Sequence, residues 1–126
     1  MHKILVVDDE PDIVDILEAF LEDSFSVVPA TSFEVAIESL SNQKIDLVLT
    51  DLNMPGVQAS EIVDRYKSAS SESLVVVMSG HSAESPQVKH ALETGARGAI
   101  EKPFRDPGEI IEVLQNYLAE SSKKAG

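Results

Sequence analysis

The sequence IDLVLTDLNMPG, residues 45–56, contains a short apolar run that ends in an acid and is followed by a turn. The run Leu47–Leu49 is too short for a helix and is typical of a buried strand. Pro55 and Gly56 end this extended segment and allow a sharp turn. We therefore expect Asp51 at the carboxyl end of a central strand, the edge at which open α/β sheets bind ligands.

Composition predicts one acidic globular domain. The chain has 126 residues, 43% of them hydrophobic, which is enough for a single packed core. The formal net charge of −12 argues against a basic binding surface, so we expect no direct nucleic-acid binding and no membrane binding. The absence of cysteine excludes disulfides and thiolate metal sites. The first apolar run is too short for a signal peptide, and we expect a cytoplasmic protein.

Further apolar runs predict strands that alternate with amphipathic helices. The other predicted strands begin at Ile4, Val27, Leu74 and Gly98. The helical stripes that we expect to be buried are Ile13, Ile16, Leu17, Phe20 and Leu21; Phe33, Ala36, Ile37 and Leu40; Ile62, Val63 and Tyr66; Val88, Ala91 and Leu92; and Ile110, Ile111, Leu114, Tyr117 and Leu118. Continuous apolar strands require cover on both faces, hence parallel pairing. We predict an α/β fold of flavodoxin-like type, a doubly wound five-stranded parallel sheet of order 2-1-3-4-5 with five helices.

Acidic side chains are expected to meet at one edge of this sheet. Asp8 and Asp9 follow strand 1 and Asp51 ends strand 3, and neighbouring strands lie about 4.8 Å apart. Three carboxylates this close repel one another unless a cation joins them. Oxygen ligands without His or Cys suit a hard ion such as Mg²⁺. Asp8 or Asp9 could instead cap the first helix, and we expect that one of them serves both the cap and the site.

A hydroxyl and an amine are expected at the same edge. Ser79 ends strand 4 and Lys102 ends strand 5. Together with a cation, Lys102 would neutralise phosphoryl oxygens and Ser79 would donate one hydrogen bond to them. Asp51 would then be the nucleophile that forms an acyl phosphate.

The chain resembles the receiver domain of two-component response regulators over essentially its whole length. The matching motifs are Val6-Val7-Asp8-Asp9-Glu10, Leu49-Thr50-Asp51-Leu52-Asn53-Met54-Pro55-Gly56, Val77-Met78-Ser79-Gly80, Gly95-Ala96 and Lys102-Pro103-Phe104. Each motif alone is modest, but all of them in order at the ends of the predicted strands are specific. The resemblance implies a receiver domain over residues 1–121 and a polar tail at 122–126.

The resemblance implies roles for the acidic residues. Asp51 is the phosphoacceptor and also belongs to the metal site. Asp9 is a direct Mg²⁺ ligand, and Asp8 helps through water. The backbone carbonyl of Asn53 completes the protein ligands.

The resemblance also implies a signalling role. Ser79 is the switch hydroxyl and Lys102 is the cation that contacts the phosphoryl group. The donor is expected to be a histidine kinase or a phosphotransfer protein, and the domain catalyses only its own phosphorylation and dephosphorylation. Output is expected on the face of helix 4, strand 5 and helix 5, toward an effector domain or a partner protein, and a homodimer is left open.

Two positions with consequences for signalling are unusual. Ala99 stands three residues before the lysine, where the family usually has Tyr or Phe, so we hypothesise that backbone shifts of residues 80–85 relay the signal instead. His81 stands two residues after Ser79 and, with Asn53, is a candidate to tune the lifetime of the phosphoryl group. An exposed loop residue is the simpler interpretation of His81.

Three other functions stay open at this point. A pseudo-receiver would have the fold without phosphotransfer. A flavin-binding module would need a loop after strand 1 that binds the flavin phosphate. The acids at that place, Asp8, Asp9 and Glu10, would repel this phosphate. A phosphatase of the haloacid dehalogenase type would need a second Asp two residues after the nucleophile, where Asn53 stands.

Overall fold

The structure, a computed structural model, describes residues 1–80, 85–101 and 106–125. Within these residues, five strands alternate with five helices along the chain. The strands are β1 (Lys3–Val7), β2 (Ser26–Ala30), β3 (Leu47–Asp51), β4 (Leu74–Ser79) and β5 (Gly98–Glu101). The helices are α1 (Pro11–Leu21), α2 (Phe33–Asn42), α3 (Ala59–Ala69), α4 (Pro86–Glu93) and α5 (Pro107–Ala125). The strands form one parallel sheet in the order β2-β1-β3-β4-β5, which confirms the predicted fold.

Alternating strand residues face two separate apolar cores. The α1/α5 core packs Leu47 and Leu49 of β3 against helices α1 and α5. The α2/α3/α4 core packs Val48 of the same strand against the other three helices. Because both faces of the sheet are covered, the central strands are apolar at nearly every position rather than alternating with polar residues.

Serine side chains cap the amino ends of helices α2 and α4. The Ser32 hydroxyl accepts a hydrogen bond from the Val35 backbone N–H at 3.2 Å, and the Ser85 hydroxyl accepts one from the Val88 backbone N–H at 3.3 Å. Gly95, which follows the C-cap residue of α4, has a φ of +126°. Residues with a Cβ atom rarely adopt this backbone conformation.

Two residues predicted to be buried are exposed. Ile16 is 43% exposed, and the buried line of α1 is Val14, Leu17 and Leu21. Ile16 lies two residues after Val14, which places it on the opposite side of a helix with 3.6 residues per turn. Leu92 is 41% exposed because α4 covers the β4–β5 edge of the sheet, where one flank of the helix faces solvent.

Helix α5 differs from its prediction in burial and length. Ile110, Leu114 and Leu118 are buried, whereas Ile111 and Tyr117 are only half-buried. The helix continues to Ala125, so residues 122–125 of the expected tail are helical. The proposed domain boundary after residue 121 stays a prediction.

Candidate functional site

Strand register brings two of the predicted acids side by side. β1 and β3 are parallel neighbours in which Val7 is paired with Thr50. The next residue on each strand is Asp8 and Asp51, so both carboxylates emerge at the same carboxyl edge of the sheet. The prediction that these acids meet is therefore confirmed, and the cause is the 2-1-3-4-5 strand order.

Three carboxylates form one cluster at this edge, which we call the acidic trio: Asp8, Asp9 and Asp51. Each offers an oxygen, and these ligand atoms all lie within 4.8 Å of one another. Asp8 is fully buried, Asp51 is 8% exposed and Asp9 is exposed. The trio is thus a charged site with one side open to solvent.

Backbone groups hold the two buried members of the trio. The Asp8 carboxylate accepts a hydrogen bond from the Glu10 backbone N–H at 2.9 Å. The Asp51 carboxylate accepts one from the Asn53 backbone N–H at 3.2 Å. Helix α1 has Glu10 at its N-cap, and the Asp8 carboxylate accepts from the backbone N–H of this N-cap residue.

Ser79 reaches the same edge of the sheet, as predicted. Asp51 is paired with Met78 in the β3–β4 register, which places Ser79 one residue beyond this pair. Ser79 is 7% exposed and is paired with Glu101 of β5. Lys102 follows Glu101 but lies outside the described residues, as does His81, and the roles assigned to them stay predictions.

A buried pair of hydroxyls lies directly behind the trio, and the sequence analysis did not find it. The Thr50 hydroxyl donates to the Asp51 backbone carbonyl at 2.9 Å. The same Thr50 oxygen lies 2.8 Å from the Tyr66 hydroxyl. Burial raises the pKa of Tyr66 well above its ordinary value; the hydrogen bond with Thr50 lowers the pKa and the Asp51 charge raises it, both by less. The sequence indicates only that Tyr66 is a core residue of α3.

An open groove of about 380 Å³ adjoins the trio, within the range of small-molecule sites. Asp9, Asn53, Met54 and Gln87 are among the residues that line it. Gln87 lies in the first turn of α4, and no sequence signal had marked it. The groove meets the trio at Asp9, its exposed member.

The donor set of the trio fits a hard divalent cation. Its ligand atoms are all carboxylate oxygens, and the cluster contains no His or Cys. Mg²⁺ and Ca²⁺ prefer such oxygens, whereas zinc and copper sites usually include nitrogen or sulfur ligands. Joining the carboxylates through a cation would also offset their mutual repulsion.

The fold and the acidic trio define a flavodoxin-like domain with a cation-suited site at the carboxyl edge of its sheet. The chain belongs to the response regulator receiver domain family, whose model matches residues 4–115. It is therefore a receiver domain of two-component signalling. Family membership favours this function over the flavin-binding and phosphatase alternatives.

Known relatives agree with this assignment. The response regulator SaeR of Staphylococcus aureus (strain USA300) is 34% identical over 124 residues, which cover 98% of this chain and 53% of SaeR. The chain thus spans about half the length of the curated relatives it matches.

Solved structures agree as well. NtrX from Brucella abortus, solved in complex with ADP, is 31% identical with a TM-score of 0.89, covering 99% of this chain and 29% of that one. A CheY-like receiver domain protein from Methanospirillum hungatei JF-1 has the same fold, with a TM-score of 0.89, 23% identity and 98% coverage of both chains. Among the described residues, no helix has the length and apolarity needed to cross a bilayer.

Proposed function

We propose that this receiver domain accepts a phosphoryl group on Asp51 in a reaction that depends on Mg²⁺. The observation that carries the proposal is the clustering of Asp8, Asp9 and Asp51, whose ligand atoms lie within 4.8 Å of one another. Asp51 is the member that ends a central strand, directly before Leu52 and Asn53, which line the open groove. One oxygen of its carboxylate accepts a hydrogen bond from the Asn53 backbone N–H, which fixes the direction of the side chain.

In the proposed reaction, an Asp51 carboxylate oxygen attacks the phosphorus atom of the donor. A bond forms between this oxygen and phosphorus, and the bond from phosphorus to the donor breaks with its electron pair going to the donor. When bound, Mg²⁺ would neutralise charge on the phosphoryl oxygens. Asp9 would hold the ion directly and Asp8 through water, with Asp51 and the Asn53 backbone carbonyl as the other protein ligands.

Ser79 and Lys102 would complete the phosphoryl site. Ser79 is nearly buried at the end of β4, where its hydroxyl suits one hydrogen bond to the phosphoryl group. Lys102, by the family pattern, would contribute the positive charge. Hydrolysis of the acyl phosphate by water would return Asp51 to its free state, so the domain catalyses its own phosphorylation and dephosphorylation.

We further propose that the donor is a histidine kinase or a phosphotransfer protein in the cytoplasm. The phosphorylated domain would then change its contacts with an effector domain or a partner protein through α4, β5 and α5. Support comes from family membership and from SaeR and NtrX, both of which are longer than this chain. Ala99 is half-buried on β5, so this output would not use an aromatic side chain at that position.

Incubation with acetyl phosphate and Mg²⁺, followed by intact-mass measurement, tests the proposal. The wild-type domain should gain one phosphoryl group, and the gain should disappear with a chelator. Asp51→Asn should show no gain, whereas Asp64→Asn, the same change on the exposed surface of α3, should behave as the wild type. An inert wild-type domain would indicate a pseudo-receiver instead.

A further inference from the structure

Thr50 and Tyr66 form a chain of hydroxyl groups behind the proposed phosphoacceptor. Both residues lie inside the protein, with Thr50 at 0% and Tyr66 at 1% exposure. The Thr50 hydroxyl oxygen lies 2.9 Å from the Asp51 carbonyl oxygen and 2.8 Å from the Tyr66 hydroxyl oxygen. These distances are typical of hydroxyl hydrogen bonds.

The direction of these hydrogen bonds follows from counting protons. A hydroxyl carries one proton, and the Thr50 proton is donated to the Asp51 carbonyl. The Tyr66 hydroxyl must therefore donate to the Thr50 oxygen. Because burial keeps the Tyr66 hydroxyl protonated, this donor is present throughout the neutral pH range.

The hydroxyl chain acts on the backbone that places the Asp51 carboxylate. Thr50 holds the carbonyl of the peptide group between Asp51 and Leu52. On the other side of this peptide group, the Asn53 backbone N–H donates to the Asp51 carboxylate. Rotation of the peptide group would break the Thr50 bond and change the backbone path that leads from Asp51 to the Asn53 N–H.

Tyr66 is itself held firmly in the α2/α3/α4 core. Its ring centroid lies 5.2 Å from that of Phe33, with the two ring planes tilted by 47°. Tyr66 also occupies the buried line of α3 together with Ile62 and Val63. A rigid aromatic ring therefore fixes the hydroxyl that orients Thr50.

We propose that Tyr66 is a positioning residue for phosphoryl transfer, which acts through Thr50 to fix the backbone of the Asp51–Asn53 turn. This inference rests on the proposed function of Asp51. A purely structural role would be different: a buried tyrosine hydroxyl needs a partner, and Thr50 would then only satisfy it. The structural role predicts lost stability alone, whereas positioning predicts slower phosphoryl uptake by a folded domain.

The test compares Tyr66→Phe, Thr50→Val, Thr50→Ser and the double variant Tyr66→Phe/Thr50→Val. The rate of phosphoryl uptake from acetyl phosphate is measured by intact mass over a series of Mg²⁺ concentrations, well below each variant's unfolding midpoint. Tyr66→Phe should lower the rate about fivefold, the worth of one hydrogen bond. Thr50→Ser, which keeps the hydroxyl, should retain most of the wild-type rate.

The double variant separates a chain of hydroxyls from two independent effects. If Tyr66 acts through Thr50, the double variant should be no slower than Thr50→Val alone. Ser73→Ala serves as a control, because it removes a buried hydroxyl at the opposite end of the sheet. This control should lose stability without a change in the rate.

Two results would overturn the inference while leaving the proposed function intact. One is a wild-type rate in a less stable Tyr66→Phe domain. The other is a double variant whose fold-decrease in the rate of phosphoryl uptake equals the product of the fold-decreases of the two single variants. If Thr50→Val does not fold, the comparison of Tyr66→Phe with Thr50→Ser still decides. A wild-type domain that takes up no phosphate would instead reject the proposed function, and the positioning role with it.

Discussion

The central strands begin among separate hydrogen-bonded pairs and end among crowded like charges. At their amino ends, the Ser73 hydroxyl donates to the Ile45 carbonyl at 2.6 Å, and the Asp46 carboxylate accepts from the Lys3 backbone N–H at 2.7 Å. At their carboxyl ends, the acidic trio places three carboxylates with ligand atoms within 4.8 Å. The amino and carboxyl ends of the same strands therefore lie in very different polar environments.

The amino ends of these strands contribute to folding stability, whereas the carboxyl ends provide the binding site. Hydrogen bonds at the amino ends satisfy polar groups that burial would otherwise leave without a partner, so they favour folding. Repulsion within the acidic trio opposes folding, and a bound cation would offset it. We infer that the carboxyl ends are selected for binding at some cost in stability. Substitutions at the two ends should therefore have opposite signatures.

Among variants that keep Asp51, the largest effect is expected for Asp9→Asn at the carboxyl ends. Removing a ligand should lower Mg²⁺-dependent phosphoryl uptake at least about tenfold, since even changes around metal ligands cost that much. Without a divalent cation, the same variant should unfold at a temperature equal to or a few degrees above the wild type, because one repulsive charge is gone. Calorimetry with and without Mg²⁺ measures this effect, with Asp64→Asn as the control. Lower stability without the cation would contradict the assigned repulsion.

A smaller, opposite effect is expected for Ser73→Ala at the amino ends. The substitution leaves the Ile45 carbonyl without the Ser73 donor in a buried site, which should lower the free energy of unfolding by about 1–3 kcal/mol. Phosphoryl uptake at low temperature should be unchanged. Ser41→Ala makes the same chemical change on the exposed surface of α2 and should cost much less. Urea unfolding compares the two variants, and equal losses would refute the role of the buried bond.

Alkaline pH should lower the free energy of unfolding through Tyr66, whereas pH changes near neutrality should leave this contribution unchanged. The folded state keeps this hydroxyl protonated where the unfolded chain releases the proton, because burial raises the pKa of Tyr66. Stability is therefore fully present below the ordinary tyrosine pKa of about 10 and falls above it, by up to about 1.4 kcal/mol per pH unit. Tyr66→Phe should lack this contribution. Urea midpoints between about pH 9 and 11 measure it, and identical slopes for both proteins would count against the buried donor.

Much of the fold could be predicted because its signals are local. The apolar run before Asp51 and the similar runs elsewhere are short, continuous and followed by acids or turn residues, which favours a sheet covered on both faces. Strand order then places Asp8 beside Asp51 without any knowledge of side-chain geometry. The burial of individual helix residues was harder to predict, as Ile16 shows. Helical spacing alone leaves the centre of the buried face uncertain by a residue or two.

The hydroxyl chain could not be predicted, for a different physical reason. Thr50 and Tyr66 are 16 positions apart and meet only because α3 packs on this face of the sheet at a particular height and rotation. A threonine in a strand and a tyrosine in a helical stripe are each ordinary core residues. Their distance is a property of the packed core and appears in no local pattern. The predicted roles of Lys102 and His81 concern positions after β5 and β4 that lie outside the described residues.

The most direct measurement is the chemical position of the phosphoryl group itself. After incubation with acetyl phosphate and Mg²⁺, borohydride reduces an aspartyl phosphate to homoserine, which tandem mass spectrometry then locates in the chain. Homoserine is expected at position 51 and nowhere else, and it should be absent when a chelator removes Mg²⁺. Homoserine at another acid, or none at all despite intact folding, would contradict the assignment of Asp51 as the phosphoacceptor.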